Sequence, residues 1–144
     1  MQAPKPESAT LLHTCEFPLR WGDMDQLGHI NNTVVSGWFE TAREPVFRIF
    51  TPELDIKALS LILARVEVDF VAQIHYGREV SVRTWIERVG NSSFVVCHEA
   101  SQDGHVVARG KAVQVYFDFA LQKSGPLPAK ERAVLEGLVR NDKI

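Results

Sequence analysis

Arg20-Trp21-Gly22-Asp23-Met24-Asp25-Gln26-Leu27-Gly28-His29-Ile30-Asn31-Asn32 runs directly into Val35, Phe39, Ala42, Val46 and Ile49, apolar residues spaced by three and four. That spacing places them on one helical face, and Trp38, Phe47 and Phe50 widen the face well beyond a narrow stripe. The pattern predicts a helix enclosed by other structure. Pro45 removes a helical hydrogen bond and crowds the preceding turn, so the helix is expected to kink near Glu44 or to divide there.

Outward from the helix the periodicity changes to two. Leu11 to Trp21 has the length and apolar content of a strand, and Val66, Val68 and Phe70 alternate with Arg65, Glu67 and Asp69. Val80, Val82 and Ile86 alternate with Ser81, Arg83 and Glu87, after which Gly90-Asn91 turns the chain into Ser93 to Ala100. Gln102-Asp103-Gly104 marks a second turn before the Val-rich and aromatic run Val106 to Phe119. Ala129 to Leu138, following Gly125-Pro126-Leu127-Pro128, reads as a short terminal helix. The order strand, long helix, four strands, short helix is an α+β layer architecture, with an antiparallel sheet curled about the long helix.

The 144 residues fit one domain, expected over residues 11–144 behind a flexible N-terminal tail at residues 1–10. A net charge of −2 and the lack of a basic run argue against a nucleic-acid surface. No apolar run reaches membrane-spanning length and the N-terminus lacks a signal-peptide core, so a soluble cytoplasmic protein is expected. Cys15 and Cys97 stand alone in apolar settings and read as buried thiols. His75, His98 and His105 are scattered without metal-ligand spacing and read as surface or packing residues; no metal and no cofactor are expected.

The chemistry concentrates in the turn. Two carboxylates and a histidine stand immediately before a helix N-terminus, where amide N–H groups lack intrahelical partners and the macrodipole adds positive charge. Such a place can stabilise an oxyanion beside an acid or base, which points to acyl transfer or hydrolysis.

Trp21-Gly22-Asp23-Met24-Asp25, Gly28-His29-Ile30-Asn31-Asn32 and Trp38-Phe39-Glu40-x-Ala42-Arg43 together resemble the hotdog-fold acyl-CoA thioesterases of the 4-hydroxybenzoyl-CoA thioesterase type. The resemblance implies a hotdog fold, a long central helix wrapped by a curved antiparallel sheet. It puts the catalytic carboxylate on Asp25, the second acid of the Asp-x-Asp turn, with Asp23 as its turn-forming partner. It puts the thioester carbonyl at the helix N-terminus, where the Asn32 main-chain N–H becomes the oxyanion donor. It also implies pairing into a homodimer, or a dimer of dimers, with sites between subunits. Plant acyl-carrier-protein thioesterases are similar in having an Asp, a His four positions later and an Asn-Asn pair; their intervening asparagine is Leu27 here, while Asp25 and His29 still align.

The expected function is therefore hydrolysis of a small or medium hydrophobic acyl-CoA, with Asp25 acting as nucleophile or general base. A non-catalytic acyl-thioester-binding module with the same fold is the alternative. His29 either bonds substrate or water, or ties the turn together. Glu40 and Arg43, three apart, read as an ion pair on the less apolar side of the helix, with Glu40 also in a supporting position for the site. Arg83, Arg88, Arg109 and Lys111 are candidates for the phosphates of coenzyme A.

Overall fold

Residues with period-two alternation pair into a sheet sheltered on one face except along its edge strand at residues 61–70, where Val66 and Phe70 stay exposed because no further strand or helix of the protomer covers them. β1 (His13–Phe17), β2 (Leu61–Phe70), β3 (Val80–Val89), β4 (Ser93–Gln102) and β5 (His105–Asp118) lie in the order β1-β3-β4-β5-β2, each neighbouring pair antiparallel. A two-residue β6 (Lys123–Ser124), which has no period to announce it, pairs with the end of β5. The computed structural model describes residues 13–139; the expected tail at residues 1–10 lies outside the described residues.

The helical run divides where Pro45 requires it. α1 spans Asn32–Ala42 and α2 spans Glu44–Phe50. Pro45 falls in the first turn of α2, where its missing N–H would have no helical partner in any case. Arg43 joins the two helices, its amide shared between the carbonyls of Phe39 (3.2 Å) and Glu40 (3.1 Å). α3 (Ala129–Gly137) closes the described chain.

The sheet curls around α1, as a hotdog fold does. Val35, Trp38, Phe39 and Ala42 bury one side of α1 in a cluster with Ile30, Ile74, Val80, Val82, Ala100, Val107 and Ala108. A second cluster, under α2 and α3, joins Val46 and Leu135 to Ile86, Phe94, Val96 and Ala112. Thr84, His98, Gly110 and Val68 stand in register across β3, β4, β5 and β2. The Phe39 ring lies against this row, stacked on His98 with centroids 4.9 Å apart and planes 8° apart.

Gly110 makes that approach possible. A Cβ there would stand 2.6 Å from two ring carbons of Phe39, inside any real carbon–carbon contact. Neither ring nor strand can yield without moving α1 off the sheet, so Gly110→Ala is expected to destabilise the fold by about 1–3 kcal/mol, the usual cost of overpacking a core. Chemical denaturation of the variant against the parent measures it; an unchanged midpoint would mean that α1 is not seated as described.

Candidate active site

The turn between β1 and α1 is a small hairpin held by its own main chain. Trp21–Asp23 forms one 3-10 turn, after which Met24 and Ile30 pair as an isolated antiparallel bridge. Asp25 N donates to His29 O (2.7 Å), Gly28 N to Asp25 O (3.1 Å) and Asn31 N to Asp23 O (2.9 Å). Gly28 has φ +77°, a conformation that side chains resist and that lets the chain reverse within so few residues.

The two acids take different places in it. Asp23 is buried, and its carboxylate accepts from Arg20 N (2.9 Å) and the Arg20 guanidinium (3.1 Å), so it closes the entry to the turn. Asp25 is exposed in the protomer, and its Oδ1 accepts from Leu27 N (2.9 Å) and His29 N (3.1 Å). Among the described residues Oδ2 has no hydrogen-bond partner. One oxygen is thus fixed by two amides and the other is free to meet a proton or a carbon centre. His29 contributes its main chain to the turn, while its imidazole stands exposed.

Just beyond, Asn31 caps α1: its side-chain oxygen accepts from Thr33 N (3.0 Å) and its carbonyl from Val34 N (2.9 Å). The Asn32 N–H is left without a partner among the described residues, at the positive end of α1. A carboxylate and an uncommitted helix-terminal amide therefore belong to one continuous segment, the pairing that acyl transfer needs.

Glu40 and Arg43 separate rather than pair. Glu40 lies on the exposed side of α1, whereas Arg43 is buried, with no ion pair between them. Arg43 Nη1 donates to His98 Nε2 (3.3 Å), which makes Nε2 the acceptor nitrogen; Nδ1 then carries the proton toward Thr84 Oγ1 (2.9 Å). Burial, with the adjacent Arg43 charge, pushes the His98 pKa down to about 3. Burial also lowers that of Arg43, against the opposing effect of Glu40. The expected Glu40–Arg43 ion pair is thereby replaced by a charged donor on a neutral ring, because α1 turns Arg43 toward the sheet.

All four basic candidates share the sheet face turned away from α1. Arg83 and Arg109 flank Glu99 at 3.4 and 3.5 Å, and Lys111 holds Glu87 at 2.9 Å. Arg88 stands exposed farther along β3. Arg109 and Lys111, with Glu67, Trp85, Glu87 and Glu99, line an open depression of about 490 Å³ on this face. Their ion-pair partners are glutamates of that face, and Asp25 is not among the residues that line the depression. Cys97 is buried as expected and Cys15 is half-buried, both as thiols. Among the described residues no group of three or more His, Cys, Asp or Glu is placed to hold a metal, and no helix is long and apolar enough to cross a membrane.

Residues 19–137 match the thioesterase-like superfamily. The chain belongs to that superfamily. Among solved structures, it is similar to a predicted thioesterase from Bacillus stearothermophilus, at 40% identity and a TM-score of 0.86, covering 90% of this chain and 98% of the other. It is similar also to a thioesterase from Thermus thermophilus complexed with coenzyme A and zinc, at 30% identity and a TM-score of 0.79, covering 90% and 95%. A 4-hydroxybenzoyl-CoA thioesterase mutant complexed with 4-hydroxybenzoyl-CoA shares the fold at 18% identity and a TM-score of 0.75, covering 85% and 97%. No curated protein matched the chain significantly. The enzyme class of this thioesterase-like chain is thioester hydrolase.

The thioesterase core carries a pH dependence of its own. Folded His98 stays neutral down to about pH 3, while in the unfolded chain it takes up a proton below about 6.5. Its contribution to stability is therefore complete above pH 6.5 and is lost progressively as the pH falls toward 3, at up to about 1.4 kcal/mol per pH unit. Urea unfolding between pH 7 and 5, before most carboxylates titrate, should show this decline in the parent. The His98→Gln variant, less stable at pH 7, should show a flatter profile; equal slopes in both would refute the assignment.

Proposed function

We propose that the protein hydrolyses the thioester of a small or medium hydrophobic acyl-CoA to the free acid and coenzyme A, with the Asp25 carboxylate as the group that drives the step. The observation that carries this is the asymmetric anchoring of Asp25: Oδ1 held by two turn amides, Oδ2 free, one short segment before the α1 N-terminus. The ligands named for the Thermus and 4-hydroxybenzoyl-CoA thioesterase structures, coenzyme A and an acyl-CoA, support the substrate class.

In the general-base route Asp25 takes a proton from water as the water oxygen attacks the carbonyl carbon. The oxyanion gathers on the substrate oxygen opposite the Asn32 N–H, the C–S bond breaks, and the departing thiolate recovers the proton from Asp25. In the nucleophilic route Oδ2 attacks the carbon itself and the C–S bond breaks to release the thiolate, giving a mixed anhydride; water then opens it to the free acid and the regenerated Asp25 carboxylate, and its second proton neutralises the thiolate. A thiol with a pKa of about 8.5 leaves readily, so either route needs little acid assistance. His29 stands at the turn as a second proton carrier, and Glu40 as a supporting carboxylate on α1. A coenzyme A phosphate that recruits Arg83, Arg109 or Lys111 must displace a glutamate from it; Arg88 completes that basic set.

We read the active form as a homodimer in the cytoplasm. The free edge of β2 exposes Ile62, Leu63, Val66 and Phe70 beside Val71, more apolar surface than a lone edge strand safely carries. Sedimentation as a monomer at micromolar concentration would overturn the dimer.

Thiol release from a panel of short, medium, long-chain and aromatic acyl-CoAs tests the function. Asp25→Asn is expected to lower kcat by about 10²- to 10⁴-fold with the fold intact. Binding of acyl-CoA without thiol release from any substrate would establish the binding module instead, and an undiminished variant would remove Asp25 from the mechanism.

A further inference from the structure

The chain between β2 and β3 passes the end of the sheet without joining it, yet it is held there. Val71 N and Ala72 N both donate to Val107 O (2.9 and 3.1 Å), which brings the segment across the β4–β5 turn. Beyond that point a side chain takes over from the sheet. Gln102, the last residue of β4 and buried to 4% exposure, accepts from His75 N at Oε1 (2.9 Å) and donates from Nε2 to His75 O (2.8 Å) and Arg78 O (3.3 Å). A primary amide has the same donor and acceptor as a peptide unit, so Gln102 pairs with His75 as a neighbouring strand would. The turn that follows it has Asp103 at φ +52° and Gly104 at φ +78°, and Arg78 pairs with Asp103.

The residues on either side of His75 are both linked to the segment that carries Asp25, one through the shared core and one through a ring contact. Ile74 is buried in the same cluster as Ile30, and Ile30 closes the Asp25 hairpin against Met24. Tyr76 meets Trp21 edge to face, ring centroids 5.9 Å apart at 84°, and Trp21 opens the 3-10 turn leading to Asp23. Trp21 is 78% exposed, and Tyr76 is its one ring partner among the described residues.

We propose that Gln102 is a positioning residue for the hydrolytic site: through the main chain of His75 it seats Ile74 under the Asp25 hairpin and Tyr76 against Trp21, fixing where the carboxylate stands. The proposal rests on the thioesterase reading for its kinetic consequences and on geometry alone for its structural ones. Catalysis feels such placement steeply, since a displacement of about 1 Å can cost about 100-fold.

Gln102→Met preserves length and volume while removing all three hydrogen bonds. It is expected to lower kcat by about 10- to 100-fold with KM within about twofold, at temperatures well below its Tm. Tyr76→Ala, which leaves the buried amide intact, should reproduce the kcat loss, and it carries the test alone if the Gln102 variant does not fold. Placing Gln102→Met on Asp25→Asn should add little to the loss from Asp25→Asn, because both act on one group. The amide resonances of Leu27 and His29, the two donors to Asp25, should shift in Gln102→Met. Should the parent release no thiol from any acyl-CoA, the functional reading fails, and these resonances still decide the role of Gln102. Unmoved resonances, an unchanged kcat, or a loss that multiplies in full with that of Asp25→Asn would overturn the proposal.

Discussion

The contact of Phe39 with the row Thr84, His98 and Gly110 is the constraint on which the rest of the structure depends. α1 carries the N-terminus that leaves the Asn32 N–H uncommitted, and a helix presents that end in one place only if its axis is fixed. The bare backbone of Gly110 lets the Phe39 ring descend onto the sheet, and His98 meets it face to face. One turn farther on, Arg43 ties the helix end to the same histidine through Nη1. Because the guanidinium donates only, it selects the neutral ring, and the ring in turn passes its proton toward Thr84. A single histidine therefore serves both as a flat surface for packing and as an acceptor for a buried cation. That explains why the protein keeps a polar row under its main helix, where an apolar one would be simpler to bury.

How far the sequence reveals this depends on which interactions leave a period behind. The strands declare themselves because one face is sheltered: Val80, Val82 and Ile86 are buried while Arg83 and Glu87 are not. The helix declares itself through its wide apolar face, and Pro45 marks its division. Asp25, Asp23 and Asn31 are legible because a turn feeding a helix uses characteristic residues at fixed offsets, and because the block around them resembles a known family. Arg43 misleads by spacing: three residues from Glu40 it reads as half of a surface ion pair, and only the wrap of the sheet shows that its side of α1 faces inward. The basic residues of β3 and β5 read as phosphate ligands one by one, since the glutamates that meet Arg83, Arg109 and Lys111 across the sheet are visible only once register is known. Gln102 leaves the faintest signal, a polar residue before an Asp-Gly turn, and its three bonds reach residues 24 to 27 positions away.

The hairpin itself illustrates a division of labour between main chain and side chain. Asp25 is held by the amides of Leu27 and His29, not by their side chains, so the identities of Gln26, Leu27 and His29 do not set the position of the carboxylate. Within the turn, what sets it is the path of the backbone: Gly28 at positive φ, the Met24–Ile30 bridge, and the Asp23 carbonyl receiving Asn31 N. Side chains in the turn are thereby released to face outward, and Leu27 and Trp21 are indeed among the most exposed large apolar groups of the protomer. An amide donor also cannot be lost by substitution, except to proline. A site anchored in this way can change the residues that meet the acyl group while keeping its carboxylate in register with the helix N-terminus, which is how one fold can serve thioesters that differ in everything beyond the reacting carbonyl.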